Sequence, residues 1–132
     1  MTSFETTVRV RYAETDAMGV VHHASYFVWL EYARVEWLRA CGLDYKKLEQ
    51  SGFFLPVVEA DLKYHASSFF DDEVRIRLTP PSDIQRVRFT LTYELFRENT
   101  YIADGKTVHV FLNKDRKLIK PPPFFVEALR SS

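Results

Sequence analysis

The sequence predicts an α+β fold in which an antiparallel sheet packs against one long helix. Most of the chain alternates apolar and polar residues with a period of two, which is typical of half-buried strands. One segment, residues 23–41, carries its apolar residues at helical spacing instead. Only strand patterns of any length follow this helix, and one helix on such a run of strands indicates an α+β arrangement. The 132-residue chain is expected to form a single domain, residues 1–132.

The first predicted element is a strand over residues 4–12. Its apolar face is expected to carry Phe4, Thr6, Val8, Val10 and Tyr12. The strand should stop at Glu14-Thr15-Asp16, because short polar side chains favour a turn.

Residues 23–41 are predicted to form the central helix. Val28, Tyr32 and Val35 lie opposite its main apolar stripe, and a helix that is apolar nearly all round is usually surrounded by protein. Gly42 is expected to end this helix. A short second helix is predicted over residues 45–50. The main stripe contains Tyr26, Trp29, Leu30, Ala33, Trp37, Ala40 and Cys41.

Four more strands are predicted, and the exposed edges of such a sheet need pairing, so a homo-oligomer is expected. Asp104-Gly105 is interpreted as a bulge in the last strand. Pro121-Pro122-Pro123 is excluded from helix and sheet, and a short helix is predicted over residues 124–130. The outer sheet face should carry Arg75, Arg77, Arg88, Thr90 and Thr92. The four strands span residues 54–64, 73–79, 87–96 and 101–112.

The composition excludes several classes of function. With 18 basic and 18 acidic side chains the formal net charge is zero, so binding to nucleic acid is not expected. The one cysteine, Cys41, cannot form an internal disulfide, and its place on the apolar stripe indicates an inert thiol. With no signal-peptide pattern and no apolar run free of charges, a cytoplasmic location without a membrane span is expected.

The residues with the strongest functional signal lie between the first strand and the central helix. The free N–H groups and the dipole at a helix N-terminus can stabilise negative charge on a carbonyl oxygen. Asp16, in the preceding loop, can act as a nucleophile or as a general base, although a turn residue is the simpler interpretation. The helix itself begins near His22 and His23.

The two adjacent histidines do not predict a metal site. Neighbouring residues at a helix start point in different directions, and no cysteine or acidic cluster completes a ligand set. We expect the His23 side chain to pack against protein and the His22 side chain to line a pocket. Tyr26 and Trp29 are near enough to the helix start to shape the same pocket.

Four motifs resemble those of the hotdog-fold acyl-CoA thioesterases, in the branch of 4-hydroxybenzoyl-CoA thioesterase and YbgC-like proteins. Met18 and His22 stand where that family more often has glycine and an aromatic residue. The resemblance covers most of the chain. The motifs are T-D-A-x-G-V-V-x-H-A-S-Y at residues 15–26, L-E-Y-A-R at 30–34, L-P-V-V-E-A at 55–60 and H-V-F-L at 109–112.

This resemblance implies a sheet wrapped around the central helix, dimers that join two sheets edge to edge, and often tetramers. It implies active sites at the dimer interface. Asp16 corresponds to the family's catalytic carboxylate, and the N–H of His23 to its carbonyl-polarising donor. Residues 85–88 match the region of a basic cluster that binds the phosphates of CoA, and Arg86 and Arg88 keep part of it.

The resemblance therefore implies a cytoplasmic thioesterase that cleaves a small or medium acyl-CoA without a metal or other cofactor. His22, Tyr26, Arg86 and Arg88 are the expected substrate-binding residues. A hotdog acyl-thioester dehydratase is an alternative, but His23 followed by Glu31 does not match the active site of those enzymes well. A non-catalytic acyl-CoA-binding or scaffold protein, which would not need Asp16, is another.

Overall fold

A six-stranded antiparallel sheet carries one long helix in the computed structural model, which describes residues 2–84 and 86–131. The spatial order is β1-β3-β4-β5-β2, and β6 pairs with β5. The predicted α+β class is confirmed. The strands are β1 (Phe4–Arg9), β2 (Val57–Tyr64), β3 (Glu73–Thr79), β4 (Arg88–Arg97), β5 (Thr100–Leu112) and β6 (Leu118–Ile119), and the helices are α1 (Ser25–Ala40), α2 (Tyr45–Gln50) and α3 (Pro123–Arg130).

Helix α1 packs against strands β1 and β3 with one of its faces. The expectation that protein surrounds this helix is wrong for a single chain, because Val28 is 53% exposed and Tyr32 is 44% exposed. The spacing of apolar residues shows which face of a helix is apolar, but it cannot show what covers that face. The buried residues of α1 are Tyr26, Trp29, Leu30, Ala33, Arg34, Trp37 and Leu38.

Strand β1 ends three residues earlier than the alternating pattern predicts. The Arg11 N–H donates to the side chain of Glu14 at 2.8 Å, and residues Tyr12–Glu14 form a 3₁₀ turn. Tyr12 is consequently 76% exposed and does not continue the apolar face. A hydrogen bond from the backbone to a side chain thus overrides the alternating apolar pattern.

Gly105 does not mark a bulge, contrary to the prediction. It pairs in regular register with Leu62 of β2 and Tyr93 of β4. A Cβ atom at this position would lie 2.2 Å from the carbonyl oxygen of Asp61, so the glycine allows β2 to approach β5 closely. The register shifts occur instead between Val57 and Glu59 and between Leu95 and Phe96.

The C-terminal helix begins at Pro123, which the sequence analysis had excluded from any helix. Proline is tolerated in the first helical turn because the N–H group that it lacks has no partner there. Helix α3 buries Phe125 and Leu129, and the ring of Phe125 meets Phe111 of β5 edge-on at 4.7 Å. The short strand β6 was not predicted.

Strand β2 lies at one edge of the sheet and is largely uncovered. Its residue Leu62 packs against the core, whereas Val58 is 50% exposed and Tyr64 is 44% exposed. Helix α1 packs mainly against β1 and β3 and meets β2 near its end, where Tyr26 contacts Tyr64, so β2 keeps an open side. On the outer face, Arg77 pairs with Glu5 at 3.1 Å, as expected for a polar face.

A chain of buried polar side chains crosses the core. Arg34 of α1 donates to the Tyr93 hydroxyl at 3.5 Å, that hydroxyl lies 2.7 Å from Thr107 Oγ1, and Thr107 Oγ1 lies 2.8 Å from His109 Nε2. Nδ1 of His109 faces the Leu55 carbonyl oxygen at 3.4 Å. With a neutral His109, the Nδ1–H donates to the Leu55 carbonyl and Nε2 accepts from Thr107, so every proton in the network points from Arg34 towards Leu55.

This arrangement requires a neutral imidazole at His109. The side chain is fully buried. Burial, with the positive charge of Arg34, lowers the pKa of His109 to about 4. The folded chain therefore binds this proton less tightly than the unfolded chain, whose histidine has a pKa of about 6.5.

We expect His109 to make the protein acid-sensitive. The stabilisation is complete above about pH 6.5 and is lost as the pH falls towards about 4, with a loss on the order of 2 kcal/mol by pH 4.5. His109→Gln, which cannot titrate, should lose less stability over that range than the wild type. Urea unfolding of both proteins at pH 7.5 and 4.5 measures the difference, and equal losses would contradict the prediction.

Candidate active site

The loop that carries Asp16 is closed by its own backbone. The Asp16 N–H donates to the Val20 carbonyl at 2.8 Å, and Gly19, with φ of +80°, donates back to the Asp16 carbonyl at 3.0 Å. Asp16 Oδ1 accepts from the N–H groups of Met18 at 2.8 Å and Val20 at 3.3 Å. In the part of the chain that the structure describes, Oδ2 of this exposed carboxylate has no hydrogen-bond partner.

Glu14, buried just before this loop, was interpreted from the sequence only as a turn residue. Its Oε2 accepts from the indole N–H of Trp29 at 2.8 Å, and its carbonyl accepts from the His22 N–H at 2.8 Å. Burial alone raises the pKa of Glu14, but the hydrogen bonds from Arg11 and Trp29 together hold it below its usual value. The one sequence signal was that a buried Trp29 needs an acceptor for its N–H.

The start of α1 leaves a single amide without an acceptor. The Ala24 N–H donates to His22 Nδ1 at 3.2 Å, and the Ser25 N–H donates to the His22 carbonyl at 2.9 Å. The Tyr26 N–H lies 3.4 Å from the His23 carbonyl. No acceptor for the His23 N–H exists among residues 2–84 and 86–131. This free donor stands at the positive end of a 16-residue helix.

An open cleft of about 310 Å³ lies beside this helix start. The Tyr64 hydroxyl, at the end of β2, donates to the His23 carbonyl at 2.9 Å. Tyr26 is buried, and its hydroxyl donates to Ser68 Oγ at 3.2 Å. Asp16 is not among the lining residues. The cleft is lined by Val21, His23, Tyr26, Tyr64, His65, Ala66 and Ser67.

Both histidines at the start of the helix are exposed in the single chain. His23 was expected to pack, but it is exposed and lines the cleft. His22 was expected to line the pocket, but its ring accepts the Ala24 N–H and stacks on His23, with centroids 4.4 Å apart. In the single chain His22 therefore accepts a backbone N–H just before α1, and its contact with a substrate stays a prediction.

His65 adds an imidazole to the cleft that the sequence did not single out. Its Nε2 lies 2.7 Å from Asp104 Oδ1, and its ring stacks on Tyr101 with centroids 5.2 Å apart. The β2–β5 register places Lys63 opposite Asp104, which brings the end of β2 next to that carboxylate. Nothing in the local sequence predicts a pair 39 residues apart.

The basic residues expected to bind CoA phosphates lie away from this cleft in one chain. Arg86 is exposed, and Arg88 on β4 pairs with Glu59 at 3.8 Å. Gln85, from the same predicted cluster, lies outside the described residues. The role of Arg86 and Arg88 in binding phosphate stays a prediction.

The remaining findings concern cations and membranes. Across the described residues, no group of three or more histidine, cysteine, aspartate or glutamate side chains is arranged to hold a metal ion. Cys41 has a free thiol and is half-buried against the core. None of the helices in residues 2–84 and 86–131 is both long enough and apolar enough to cross a bilayer.

The site thus offers a free backbone N–H beside a cleft and, in the loop before the helix, a carboxylate with one unpaired oxygen. The first can donate to a carbonyl oxygen on which negative charge develops. The second can attack a carbonyl carbon or accept a proton from water. Together these are the requirements of acyl transfer to water.

Comparison with known proteins gives consistent results. A family model described as the thioesterase-like superfamily matches residues 10–129. The chain is 32% identical over 110 residues to the acyl-CoA thioester hydrolase YbgC of Escherichia coli, covering 83% of this chain and 81% of that one. It is 32% identical over 108 residues to a 1,4-dihydroxy-2-naphthoyl-CoA hydrolase of Crocosphaera subtropica, covering 79% and 78%.

The fold also matches solved structures. A DHNA-CoA thioesterase from Staphylococcus aureus superposes with a TM-score of 0.89 and 30% identity, over 99% of this chain and 91% of that chain. A 1,4-dihydroxy-2-naphthoyl-CoA thioesterase from Synechocystis superposes with a TM-score of 0.87 and 25% identity, over 98% and 96%. The expected hotdog arrangement of sheet and helix is confirmed.

Proposed function

Because the chain belongs to the thioesterase-like superfamily and is a thioester hydrolase that acts on acyl-CoA, we propose that Asp16 and the His23 N–H carry its reaction. The observation that supports this most directly is the free His23 N–H at the start of α1. Neighbouring amides there already have acceptors, so one donor is available for a ligand. The proposal needs no metal and no other cofactor.

The His23 N–H stabilises the transition state in this proposal. When a nucleophile adds to the thioester, the carbonyl oxygen becomes an oxyanion and accepts a stronger hydrogen bond than the ground-state carbonyl does. The N-terminus of α1 adds the positive end of its dipole. Burial of the helix holds this donor in place, so little reorganisation accompanies the reaction.

Asp16 acts on the carbonyl carbon in one of two ways. As a nucleophile it attacks the carbon, the C–S bond breaks, and CoA leaves as a thiolate that takes a proton from solvent. Water then hydrolyses the mixed anhydride, which frees the acid and restores the carboxylate. As a general base, Asp16 instead takes a proton from the attacking water, and that proton passes to the departing sulfur.

We propose that the complete site forms between two subunits of a homodimer, which can pair again into a tetramer. The outer edge of β2 has no strand partner in the described chain, and its apolar residue Val58 is 50% exposed. Exposed apolar strand edges are usually covered in the functional protein. Asp16 does not line the cleft of His23 in one chain, which is consistent with a site that a second copy completes.

The substrate is proposed to be a small or medium acyl-CoA. The cleft, of about 310 Å³, suits an acyl group of that size, and Tyr26 and Tyr64 give it aromatic walls. His22 is within reach of the same helix start. Arg86 and Arg88 remain the proposed contacts for the phosphates of CoA. They lie outside the cleft, so the CoA moiety would extend out of the cleft to reach them on the same chain or on a second copy.

The charge of Asp16 should be essential to hydrolysis. Asp16→Asn keeps the Oδ1 acceptor that closes the loop and removes the negative charge, so we expect kcat to fall by at least about 100-fold with little loss of stability. Thiol release from a panel of short, medium and aromatic acyl-CoAs measures this and ranks the substrates.

Asp44→Asn is the matched control, because Asp44 accepts backbone N–H groups at the start of α2, away from the cleft. It should retain the wild-type rate. Equal rates for wild type and Asp16→Asn would remove Asp16 from the reaction. Binding of acyl-CoA with no thiol release by the wild type would favour a binding protein, and a change in acyl unsaturation would favour a dehydratase.

The backbone at residue 23, not its side chain, should matter for kcat. His23→Ala keeps the N–H, so kcat should stay within about threefold of the wild type, whereas His23→Pro removes the donor and should lower kcat by about 100-fold. Steady-state kinetics with circular dichroism as a check on folding tests this. A large loss of kcat in His23→Ala would show that the imidazole, and not the backbone N–H, is the group needed at residue 23.

The β2 edge should mediate assembly. Val58→Asp places a charge on the open side of β2, so the dimer should dissociate and activity should fall with it. Leu118→Asp, at an exposed apolar residue of β6, serves as the control and should leave the mass unchanged. Analytical ultracentrifugation gives the masses, and an unchanged mass for Val58→Asp would exclude this edge.

A further inference from the structure

One side chain from the sheet reaches the helix start where the free N–H lies. The Tyr64 hydroxyl donates to the His23 carbonyl at 2.9 Å, across 41 residues of sequence. A carbonyl oxygen has no proton, so the phenol must be the donor. The helical partner of that carbonyl, the Tyr26 N–H, is at 3.4 Å, which is long for such a bond, so Tyr64 makes the shorter contact.

The backbone around residue 23 is held from both sides. Before it, the His22 N–H donates to the Glu14 carbonyl at 2.8 Å. After it, the Ala24 N–H donates to His22 Nδ1 and the His23 carbonyl accepts from Tyr64. Of the two backbone polar groups of residue 23, only the N–H has no partner in the described chain. Its direction is therefore fixed by contacts that include one side chain from β2.

The ring of Tyr64 is itself held in place. It meets the ring of Tyr26 edge-on, with centroids 5.1 Å apart, and Tyr26 is buried and bonded to Ser68. Burial, together with the neighbouring Tyr26, raises the pKa of Tyr64, so the phenol keeps its proton at neutral pH. It can therefore act as a donor throughout the range in which most enzymes work.

We propose that Tyr64 is a positioning residue that aims the His23 N–H at the thioester carbonyl oxygen. This inference rests on the proposed function, since it assigns Tyr64 a role through His23. Without the phenol, the backbone at residue 23 gains freedom to rotate and the N–H spends less time aligned with the oxyanion. The loss falls on the transition state, where alignment of the donor matters most.

The test is Tyr64→Phe, which keeps the ring and removes the donor. We expect kcat to fall about tenfold, which is less than the loss expected when the His23 N–H itself is removed. KM should change less than about twofold. Tyr45→Phe is the matched control, because Tyr45 also donates to a carbonyl, that of Leu55 at 3.5 Å, but outside the cleft. That control should retain the wild-type kcat.

A spectroscopic readout separates positioning from general stability. In the Asp16→Asn background, the infrared stretch of the bound acyl-CoA carbonyl should lie at lower frequency than in free substrate, because the N–H polarises it. Adding Tyr64→Phe should return the band towards the free value, and adding Tyr45→Phe should not.

The outcomes decide the inference separately from the hydrolysis itself. If adding Tyr64→Phe to Asp16→Asn left the carbonyl band unchanged, the positioning role would be overturned, even if kcat fell. An unchanged kcat would overturn it as well. If the wild type released no thiol, the hydrolytic mechanism would fail, but the carbonyl band of bound substrate would still show whether Tyr64 aims the N–H.

Discussion

The buried carboxylate of Glu14 is the contact on which the head of α1 depends. A charged group in the interior is tolerated only when its hydrogen bonds are satisfied, and Arg11 and Trp29 satisfy it here. The same residue accepts the His22 N–H through its main chain. One residue therefore connects the end of β1, the side of the central helix and the segment that enters that helix. The position of the Asp16 loop relative to the His23 amide follows from this.

The core obeys the same rule at a second place. From Arg34 to the Leu55 carbonyl, a neutral His109 lets every polar group donate in the same direction along the network. Both networks join α1 to parts of the sheet region through side chains and not through apolar packing alone. The helix is thereby held in its rotation and its register, which apolar packing specifies less sharply.

Much of this was predictable because it is local in sequence. The helical stripe from Tyr26 to Trp37 and the alternation of β3 identified those elements, and Asp16 and His23 were singled out because they are close along the chain. The errors concern relations across the chain. Gly105 is required because a carbonyl of another strand lies too close for a side chain at this position. Tyr12 is not part of β1 because a hydrogen bond to the Glu14 side chain ends the strand before it. The contact of Tyr64 with His23 and the burial of Glu14 leave no periodic signal.

The free donor at residue 23 belongs to the main chain, which every amino acid except proline provides. Selection on the side chains around the cleft can therefore alter which acyl groups are accepted while the proposed polarising group is inherited unchanged. The relatives include one named for a dihydroxynaphthoyl-CoA and one named only for acyl-CoA. With a backbone donor, substitutions can change the substrate range without removing the group proposed to polarise the carbonyl.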